Sequence, residues 1–250
     1  MAQAYTIIDT VEKVSEMLAK LETLPVSPPS LYIDLEGVNL SRTGSISILQ
    51  LYALPLHHTY LIDIHHLGAS AFTTPSSDAT TTTTLKSLLE SPHTPKVFFD
   101  VRRDAEALYH HFNISLSRVD DLQLLELAGR IWRAGRGRFV NGLERCIRND
   151  AGLSQVQIRE FEARKQVGLQ LFAPEWGGSY EVFNERPMRA EIVTYCVQDV
   201  EFLPILWRKY HGTLTPLWER KIKEAVEQRL ALARTEVCFP EGSGMARGPW

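Results

Sequence analysis

Apolar and polar residues follow patterns that predict strands in the first half of this chain and helices in the second. Segments 30–36, 45–52 and 59–64 have strand character and short connections, which favours an antiparallel meander. Segment 96–99 predicts a further buried strand, and a brief strand precedes Asp121; each runs into a helix. Because such crossovers add parallel strands, we expect one α/β domain with a mixed five-stranded sheet flanked by helices.

Helical spacing of apolar residues marks the N-terminal stretch and most of the second half. Residues 9–22 fit an amphipathic helix with Asp9 or Thr10 as its N-cap. Further helices are predicted at "LKSLLE", at 102–112, from near Asp121, and at about 140–150, 155–171, 187–209 and 213–235. We expect a single domain over residues 1–238 and a disordered tail over 239–250.

Composition narrows the class of protein. The 250 residues are 44% hydrophobic, which allows a substantial core, yet no stretch is long and apolar enough to span a membrane. Three widely spaced cysteines give no disulfide framework, which favours a reducing compartment. The N-terminus lacks the basic and apolar regions of a signal peptide. We therefore expect a soluble intracellular protein, in the cytosol, the nucleus or an organelle matrix.

One segment is locally basic, although the formal net charge of −3 gives no general attraction to nucleic acid. Residues 129–148 carry six arginines and a single glutamate, with glycines and aromatic residues between them. The ordinary interpretation is a solvated loop and helix face. The alternative is a surface that contacts phosphates, and both interpretations are open at this point.

Acidic residues in three segments form the candidate active site. Asp34 and Glu36 occupy alternate positions at the end of a strand, so both side chains point to one face. Asp104 opens a helix directly after another buried strand, where sites form in α/β sheets. Tyr195 and Asp199 are four residues apart on a predicted helix and share a face. Each has a structural alternative: an exposed acidic pair, an aspartate favoured by the helix dipole, or a hydrogen-bonded Tyr–Asp pair.

Together these carboxylates predict a divalent metal site. Four carboxylates that meet in one place cannot all stay ionised without cations, and Mg²⁺ and Mn²⁺ prefer such oxygen ligands. Two such ions about 4 Å apart support cleavage of phosphodiester bonds, since one activates water and the other stabilises the leaving oxygen. We therefore expect two Mg²⁺ or Mn²⁺ ions, held by Asp34, Glu36, Asp104 and Asp199.

The order of these motifs resembles the DEDD superfamily of 3′–5′ exonucleases, in the tyrosine subgroup that includes RNase D, the Werner-type exonuclease domains and the Egalitarian-like exonuclease-domain proteins. The resemblance is carried by "YIDLEGVNL", "KVFFDVRRDAEALYHHF", "VDDLQLLELA" and "RPMRAEIVTYCVQDVEFL". These stretches span about residues 28–210, the expected core of the domain. The resemblance implies an RNase H-like fold for the five-stranded sheet, with an N-terminal and a C-terminal helix flanking the core.

The resemblance also implies a role for each residue of the set. Asp34 would bridge both metal ions. Glu36 and Asp199 would complete the site of the water-activating ion, and Asp104 would hold the second ion. Tyr195 would orient the attacking water.

By the same resemblance, the chain is a metal-dependent 3′–5′ exonuclease acting on single-stranded ends of RNA or DNA and releasing nucleoside 5′-monophosphates. The expected nucleic-acid contacts are Gly37, Val38, Asn39, Arg130, Arg133, Arg136 and Arg138. One alternative is an RNA-binding adaptor that keeps the fold without cutting and binds a protein partner through its terminal helices. Another is a different phosphodiesterase built on the same carboxylates. The choice between RNA and DNA depends on contacts to the 2′-hydroxyl, which the sequence does not show.

Overall fold

A six-stranded mixed sheet forms the centre of the computed structural model, which describes residues 4–135, 137–212, 214–237, 239 and 244–250. The strands are β1 (Ala4–Ile8), β2 (Leu31–Glu36), β3 (Ile48–Ala53), β4 (His58–Asp63), β5 (Lys96–Phe98) and β6 (Val119–Asp121). Their order is β1-β4-β3-β2-β5-β6. Strands β2, β3 and β4 are antiparallel neighbours, whereas β1, β5 and β6 run parallel to the strand beside them. The predicted mixed sheet, with its meander and its added parallel strands, is confirmed.

The predicted number of five strands is wrong, because the sheet includes β1 at one edge. Ala4 of this strand pairs with His58 of β4, so its partner lies far along the chain. Tyr5 is half exposed. A short edge strand with exposed residues and a distant partner shows little periodic pattern, which explains why the sequence did not reveal it.

Helices fill most of the remaining chain. They are α1 (Val11–Leu21), α2 (Ile64–Leu67), α3 (Ser70–Thr73), α4 (Leu85–Glu90), α5 (Arg102–Phe112), α6 (Leu122–Ala134), α7 (Leu143–Asp150), α8 (Gln155–Phe172), α9 (Ala190–Glu201), α10 (Leu203–His211) and α11 (Pro216–Ala233). Thr10 caps α1 by accepting the Lys13 N–H. The single helix predicted over 187–209 is wrong. Pro204 lies in the first turn of α10 and has no N–H to continue the hydrogen bonds of α9, so the helix breaks at Phe202.

Helices cover both faces of the sheet. Ile48 and Leu61, from β3 and β4, belong to an apolar cluster with residues of α8 and α9. Leu49 and Ile62, the next residues along these strands, belong to the larger cluster that includes α1 and α5. Successive residues of a strand point to opposite faces, so both faces of the sheet are buried. No helix within the described residues is long and apolar enough to cross a membrane.

The end of the chain packs back onto α6 and α11. The Val140 N–H donates to the Ala246 carbonyl and the Gly248 N–H donates to the Arg138 carbonyl, each at 2.8 Å. Trp250 packs edge-on against Trp218 of α11, with ring centroids 5.3 Å apart. Within the tail predicted at 239–250, residues 240–243 lie outside the described residues, and residues 244–250 are held to the rest of the chain by these contacts.

Candidate active site

Strand β2 presents Asp34 and Glu36 on one face of the sheet. Asp34 pairs with Gln50 of β3, and Glu36 pairs with Ile48, whose side chain packs beneath α9. Since residues i and i+2 of a strand share a face, both carboxylates are on the α9 side. Both residues keep some exposed surface, although protein atoms surround their carboxyl groups.

Helix α9 lies across β2, β3 and β4 and adds a third carboxylate to this pair. Asp199 and Tyr195, one turn apart on the helix, are both buried. The nearest carboxylate oxygens of Asp34, Glu36 and Asp199 all lie within 4.8 Å of one another. Asp199 is more than 160 positions from Asp34 and Glu36 in the sequence, and the fold brings it next to them.

Helix α5 brings Asp104 to the same place. The helix follows β5, which runs parallel to β2 as its direct neighbour, and Asp104 lies in its first turn. The side chain is buried, and its Oδ1 has no hydrogen-bond partner within the described part of the chain. Asp104 is outside the group of three within 4.8 Å, although the charge of Asp34 acts on it. A buried carboxylate oxygen without a partner is free to coordinate a cation.

Burial and mutual repulsion raise the pKa values of three of these carboxyl groups. Burial, with the charge of Asp199, raises the pKa of Asp34 to about 7. Burial, with the charge of Asp34, raises the pKa values of Glu36 and Asp104 well above their usual range. A cation among these groups stabilises their ionised forms, and an all-oxygen set of ligands suits a hard divalent ion. The residues present therefore fit Mg²⁺ or Mn²⁺.

A lysine that the sequence argument missed contacts these carboxylates. Lys165 of α8 places Nζ 2.9 Å from Oδ1 of Asp199 and 5.0 Å from the centroid of the Tyr195 ring. Burial lowers the pKa of Lys165, but the charge and hydrogen bond of Asp199 outweigh it and raise that pKa, so the ammonium stays charged. A signal was present in the sequence. Lys165 lies four residues after buried Phe161 and three before buried Gly168, on the apolar face of its helix.

Tyr195 is held against α8 by close packing. Its ring centroid lies 5.0 Å from that of Phe172 in an edge-on arrangement. A Cβ built on Gly168 would lie only 2.5 Å from Cδ2 of Tyr195, so the ring occupies space that any other residue at 168 would fill. Burial, followed by the charges of Asp199 and Glu36, raises the pKa of Tyr195 well above its usual range. The hydroxyl therefore keeps its proton and is a hydrogen-bond donor.

A cavity of about 600 Å³ opens beside Glu36. Its wall includes Arg103 of α5, Tyr180, and Gly37 and Asn39 of the loop that follows β2. A guanidinium group binds anionic oxygens and an aromatic ring stacks on planar groups, so this wall offers contacts to both. Because Glu36 also lines the cavity, Arg103, Tyr180 and the carboxylate cluster face the same space.

The loop of residues 37–45 shapes one side of this cavity. A Cβ on Gly37 would overlap the carbonyl oxygen of Ser45, so the packing of the loop itself requires glycine there. The Val38 carbonyl accepts the Ser45 N–H at 2.9 Å, and Val38 is not part of the cavity wall. Among the three nucleic-acid contacts predicted in this loop, Gly37 and Asn39 line the cavity and Val38 does not.

The arginine segment lies along α6 and the loop that follows it. The contacts predicted there are Arg130, Arg133, Arg136 and Arg138. Arg130 donates to Glu126 at 2.8 Å and to the Phe139 carbonyl at 2.7 Å, so it fastens the loop to the helix. Arg133 and Arg138 are exposed, and Arg136 lies outside the described residues. The three described arginines do not line the cavity beside Glu36.

The junction between β5 and α5 is built from charged residues. Asp100 has a φ of 65° and accepts two hydrogen bonds from Arg102, at 2.5 and 2.6 Å. Asp121 is fully buried and accepts the backbone N–H groups of Asp100 and Val101 at 3.0 and 3.2 Å. These contacts set the course of the chain just before Asp104.

Comparison with known proteins places this geometry in a family. Residues 5–213 match a family model described as a 3′–5′ exonuclease. No curated protein is significantly similar to the chain in sequence. Three solved structures that share the fold are each less than 25% identical to the chain in sequence.

These three structures show how far the similarity extends. RNase D of Trypanosoma brucei in complex with RNA U12 has a TM-score of 0.73 and 20% identity, over 96% of this chain and 74% of that one. Escherichia coli RNase D, an exoribonuclease involved in structured RNA processing, has a TM-score of 0.58 and 19% identity, over 93% of this chain and 51% of that one. Brucella melitensis NrnC with bound Mg²⁺ has a TM-score of 0.58 and 17% identity, over 93% of each chain.

Proposed function

We propose, since this chain belongs to the 3′–5′ exonuclease family, that it removes nucleotides from the 3′ end of single-stranded nucleic acid with two divalent metal ions. The observation that carries the proposal is the approach of Asp34, Glu36 and Asp199 to within 4.8 Å, with a nearby oxygen of Asp104 that has no hydrogen-bond partner among the described residues. The RNA bound to T. brucei RNase D and the Mg²⁺ bound to NrnC support the substrate and the metal. The expected products are nucleoside 5′-monophosphates.

Different carboxylates of the cluster would hold each of the two proposed metal ions. The charge of Asp34 interacts with those of Asp199 and Asp104, so Asp34 would hold an ion together with either of them. Glu36 and Asp199 would complete the ligands of one ion, and Asp104 would hold the other through the oxygen that has no hydrogen-bond partner among the described residues. Bound divalent ions supply the Lewis acid that activates water and stabilises the leaving oxygen.

Tyr195 and Lys165 act on the same reaction from α9 and α8. Tyr195 keeps its proton, so its hydroxyl donates a hydrogen bond to the attacking water or to a phosphate oxygen. Lys165 holds Asp199 through their ion pair, which keeps this ligand in place. The lysine ammonium also offsets negative charge that the phosphate brings into the site.

The cavity beside Glu36 is the proposed position of the nucleotide at the 3′ end. Arg103, partly exposed in its wall, binds a phosphate oxygen, and Tyr180 stacks on a base. Tyr180 is itself stacked on Phe172, with ring centroids 6.0 Å apart, so its ring is held in a defined position. The exposed Arg133 and Arg138, with Arg136, are proposed contacts to phosphates farther along the strand.

The test is hydrolysis of 5′-labelled RNA and DNA oligonucleotides in Mg²⁺ or Mn²⁺. We expect products that shorten from the 3′ end, and Glu36→Gln should lower kcat by about two orders of magnitude or more because a metal ligand is lost. Glu16→Gln, the same substitution on the exposed side of α1, should have no effect. Undiminished cleavage by Glu36→Gln would contradict the proposal. Tight RNA binding without cleavage in either metal would favour the adaptor function instead.

A further inference from the structure

The family match ends at residue 213, yet the chain beyond it contacts the two segments that adjoin the proposed metal ligands, the β5–α5 junction before Asp104 and the loop after Glu36. We call the described residues from 214 onward the C-terminal segment; it consists of α11 and the chain behind it. It reaches the β5–α5 junction through Arg229 and the Met245 carbonyl. It reaches the loop after β2 through the carbonyls of Thr235 and Val237.

Arg229 of α11 is the strongest of these contacts. Its Nη1 lies 2.6 Å from Oδ2 of Asp121 and 3.3 Å from Oδ1 of Asp100, and its Nη2 lies 2.9 Å from Oε1 of Gln123. Arg229 is buried, and Asp121 is fully buried. Because Asp121 also accepts the N–H groups of Asp100 and Val101, the charge of Arg229 stabilises the carboxylate that holds the first residues before α5.

The Met245 carbonyl supports the same junction. It accepts a hydrogen bond from Nη1 of Arg102 at 2.9 Å. The remaining nitrogens of that guanidinium hold Asp100, whose φ of 65° places it in the left-handed region. A residue other than glycine stays in this conformation only when its surroundings hold it there. Both contacts from the C-terminal segment thus act just before Asp104.

Arg42 connects the C-terminal segment to the loop after β2. Its Nε donates to Oε1 of fully buried Glu106 at 2.7 Å. Its Nη1 and Nη2 donate to the carbonyls of Thr235 and Val237, each at 2.9 Å. All three nitrogens of the guanidinium are engaged, so the loop that begins directly after Glu36 is fastened to α5 and to the C-terminal segment at once.

We infer that the C-terminal segment positions the metal-binding carboxylates, with Arg229 as the positioning residue for Asp104. Without Arg229, the carboxylates of Asp100 and Asp121 lose a shared cation and repel each other, so the junction shifts and Asp104 shifts with it. Metal affinity depends on such outer contacts because they set the position and orientation of the ligands. The functional unit thus extends beyond the family domain to residues near the end of the chain.

Arg229→Met tests the inference in the chain of 250 residues, with Mn²⁺ as the probe. Direct Mn²⁺ binding, followed by electron paramagnetic resonance, should weaken by about 10- to 100-fold. Hydrogen exchange at the amides of Asp100 and Val101 should accelerate, because their acceptor is displaced. In the nuclease assay, kcat should fall while the KM for the oligonucleotide stays near the wild-type value.

Ile222→Ala is the matched control. Ile222 is a buried residue of α11 two turns before Arg229, so its truncation destabilises the same helix and leaves the guanidinium in place. This variant should bind Mn²⁺ with wild-type affinity at temperatures well below its midpoint of unfolding. An equal loss of Mn²⁺ affinity in Ile222→Ala would overturn the inference, since helix stability alone would then explain the effect.

Wild-type Mn²⁺ affinity and wild-type exchange at residues 100 and 101 in folded Arg229→Met would also overturn it. If that variant does not fold, Arg229→Gln decides by the same two measurements, since glutamine is neutral but still donates a hydrogen bond. Neither measurement needs nuclease activity. A chain that binds Mn²⁺ through this site but cuts no oligonucleotide would therefore refute the proposed exonuclease activity while leaving the positioning role testable.

Discussion

At the scale of single residues, Gly168 packs so closely against the Tyr195 ring that a methyl group does not fit between them. Gly168→Ala would place a Cβ 2.5 Å from Cδ2 and 2.9 Å from Cγ of Tyr195, so the tyrosine must move away from α8. We expect kcat to fall by about tenfold or more, because the hydroxyl leaves its position near Asp199. Thermal stability should change little, since alanine favours a helix over glycine by about 1 kcal/mol and offsets part of the strain.

Gly212→Ala is the control for this substitution. Among the described residues, a Cβ at Gly212 would approach the Arg208 carbonyl at 3.6 Å, which is an ordinary contact. That variant should keep the wild-type kcat in the same nuclease assay. A wild-type kcat in Gly168→Ala would show that the packing against α8 does not position Tyr195.

At the scale of secondary-structure elements, Lys96 connects β5 with the end of α4. Its side chain is fully buried, and Nζ donates to the carbonyls of Leu88 and Ser91 at 3.3 and 2.8 Å. Burial, with a smaller effect from the charge of Arg118, lowers the pKa of Lys96 to about 7. Between about pH 7 and pH 10 the unfolded chain thus binds a proton that the folded chain lacks. Lys96 therefore destabilises the fold below pH 7, and this effect disappears as the pH rises through that range.

We expect the pH dependence of stability to differ between the wild type and Lys96→Met. The free energy of unfolding of the wild type minus that of the variant should increase by about 1.4 kcal/mol for each pH unit between pH 7 and 9.5. Urea unfolding of both proteins at several pH values measures this difference. Lys223→Met, an exposed lysine of α11, should give a constant difference from the wild type. Parallel pH profiles for Lys96→Met and the wild type would refute the prediction.

Elements with local patterns were predictable, and those defined by distant partners were not. The spacing of apolar residues was enough for α1, with its cap limited to Asp9 or Thr10, and for the meander of β2, β3 and β4. Strand β1 depends on pairing with β4 and was missed. The break between α9 and α10 was missed because apolar spacing continues across Pro204, although proline interrupts the hydrogen bonds.

At the scale of the whole molecule, the same distinction separates the parts of the candidate site. Spacing within one element pointed to Asp34 with Glu36 and to Tyr195 with Asp199. Arg229 carries no such motif, and the spacing that places Lys165 on the apolar face of α8 does not reveal its partner Asp199, because each contact joins distant parts of the chain. Arg229 and Asp121, for example, are 108 positions apart, so only the packed helices and sheet reveal their contact. The cavity wall formed by Arg103 and Tyr180 was hidden for the same reason.

The assembled fold also forces four carboxylates together, so the metal-free molecule carries a repulsion that a bound cation relieves. At a metal concentration 100-fold above Kd, we expect a stabilisation of about 2.7 kcal/mol, or roughly 5–10 °C in Tm for a chain of this size.

Asp104→Asn removes one charge at nearly constant shape. In EDTA its Tm should exceed that of the wild type, and its shift with Mg²⁺ or Mn²⁺ should shrink, whereas Glu16→Gln should match the wild type in both conditions. Thermal unfolding at matched ionic strength measures both effects. The prediction fails if Asp104→Asn in EDTA is less stable than the wild type, because the repulsion would then be too weak to oppose folding.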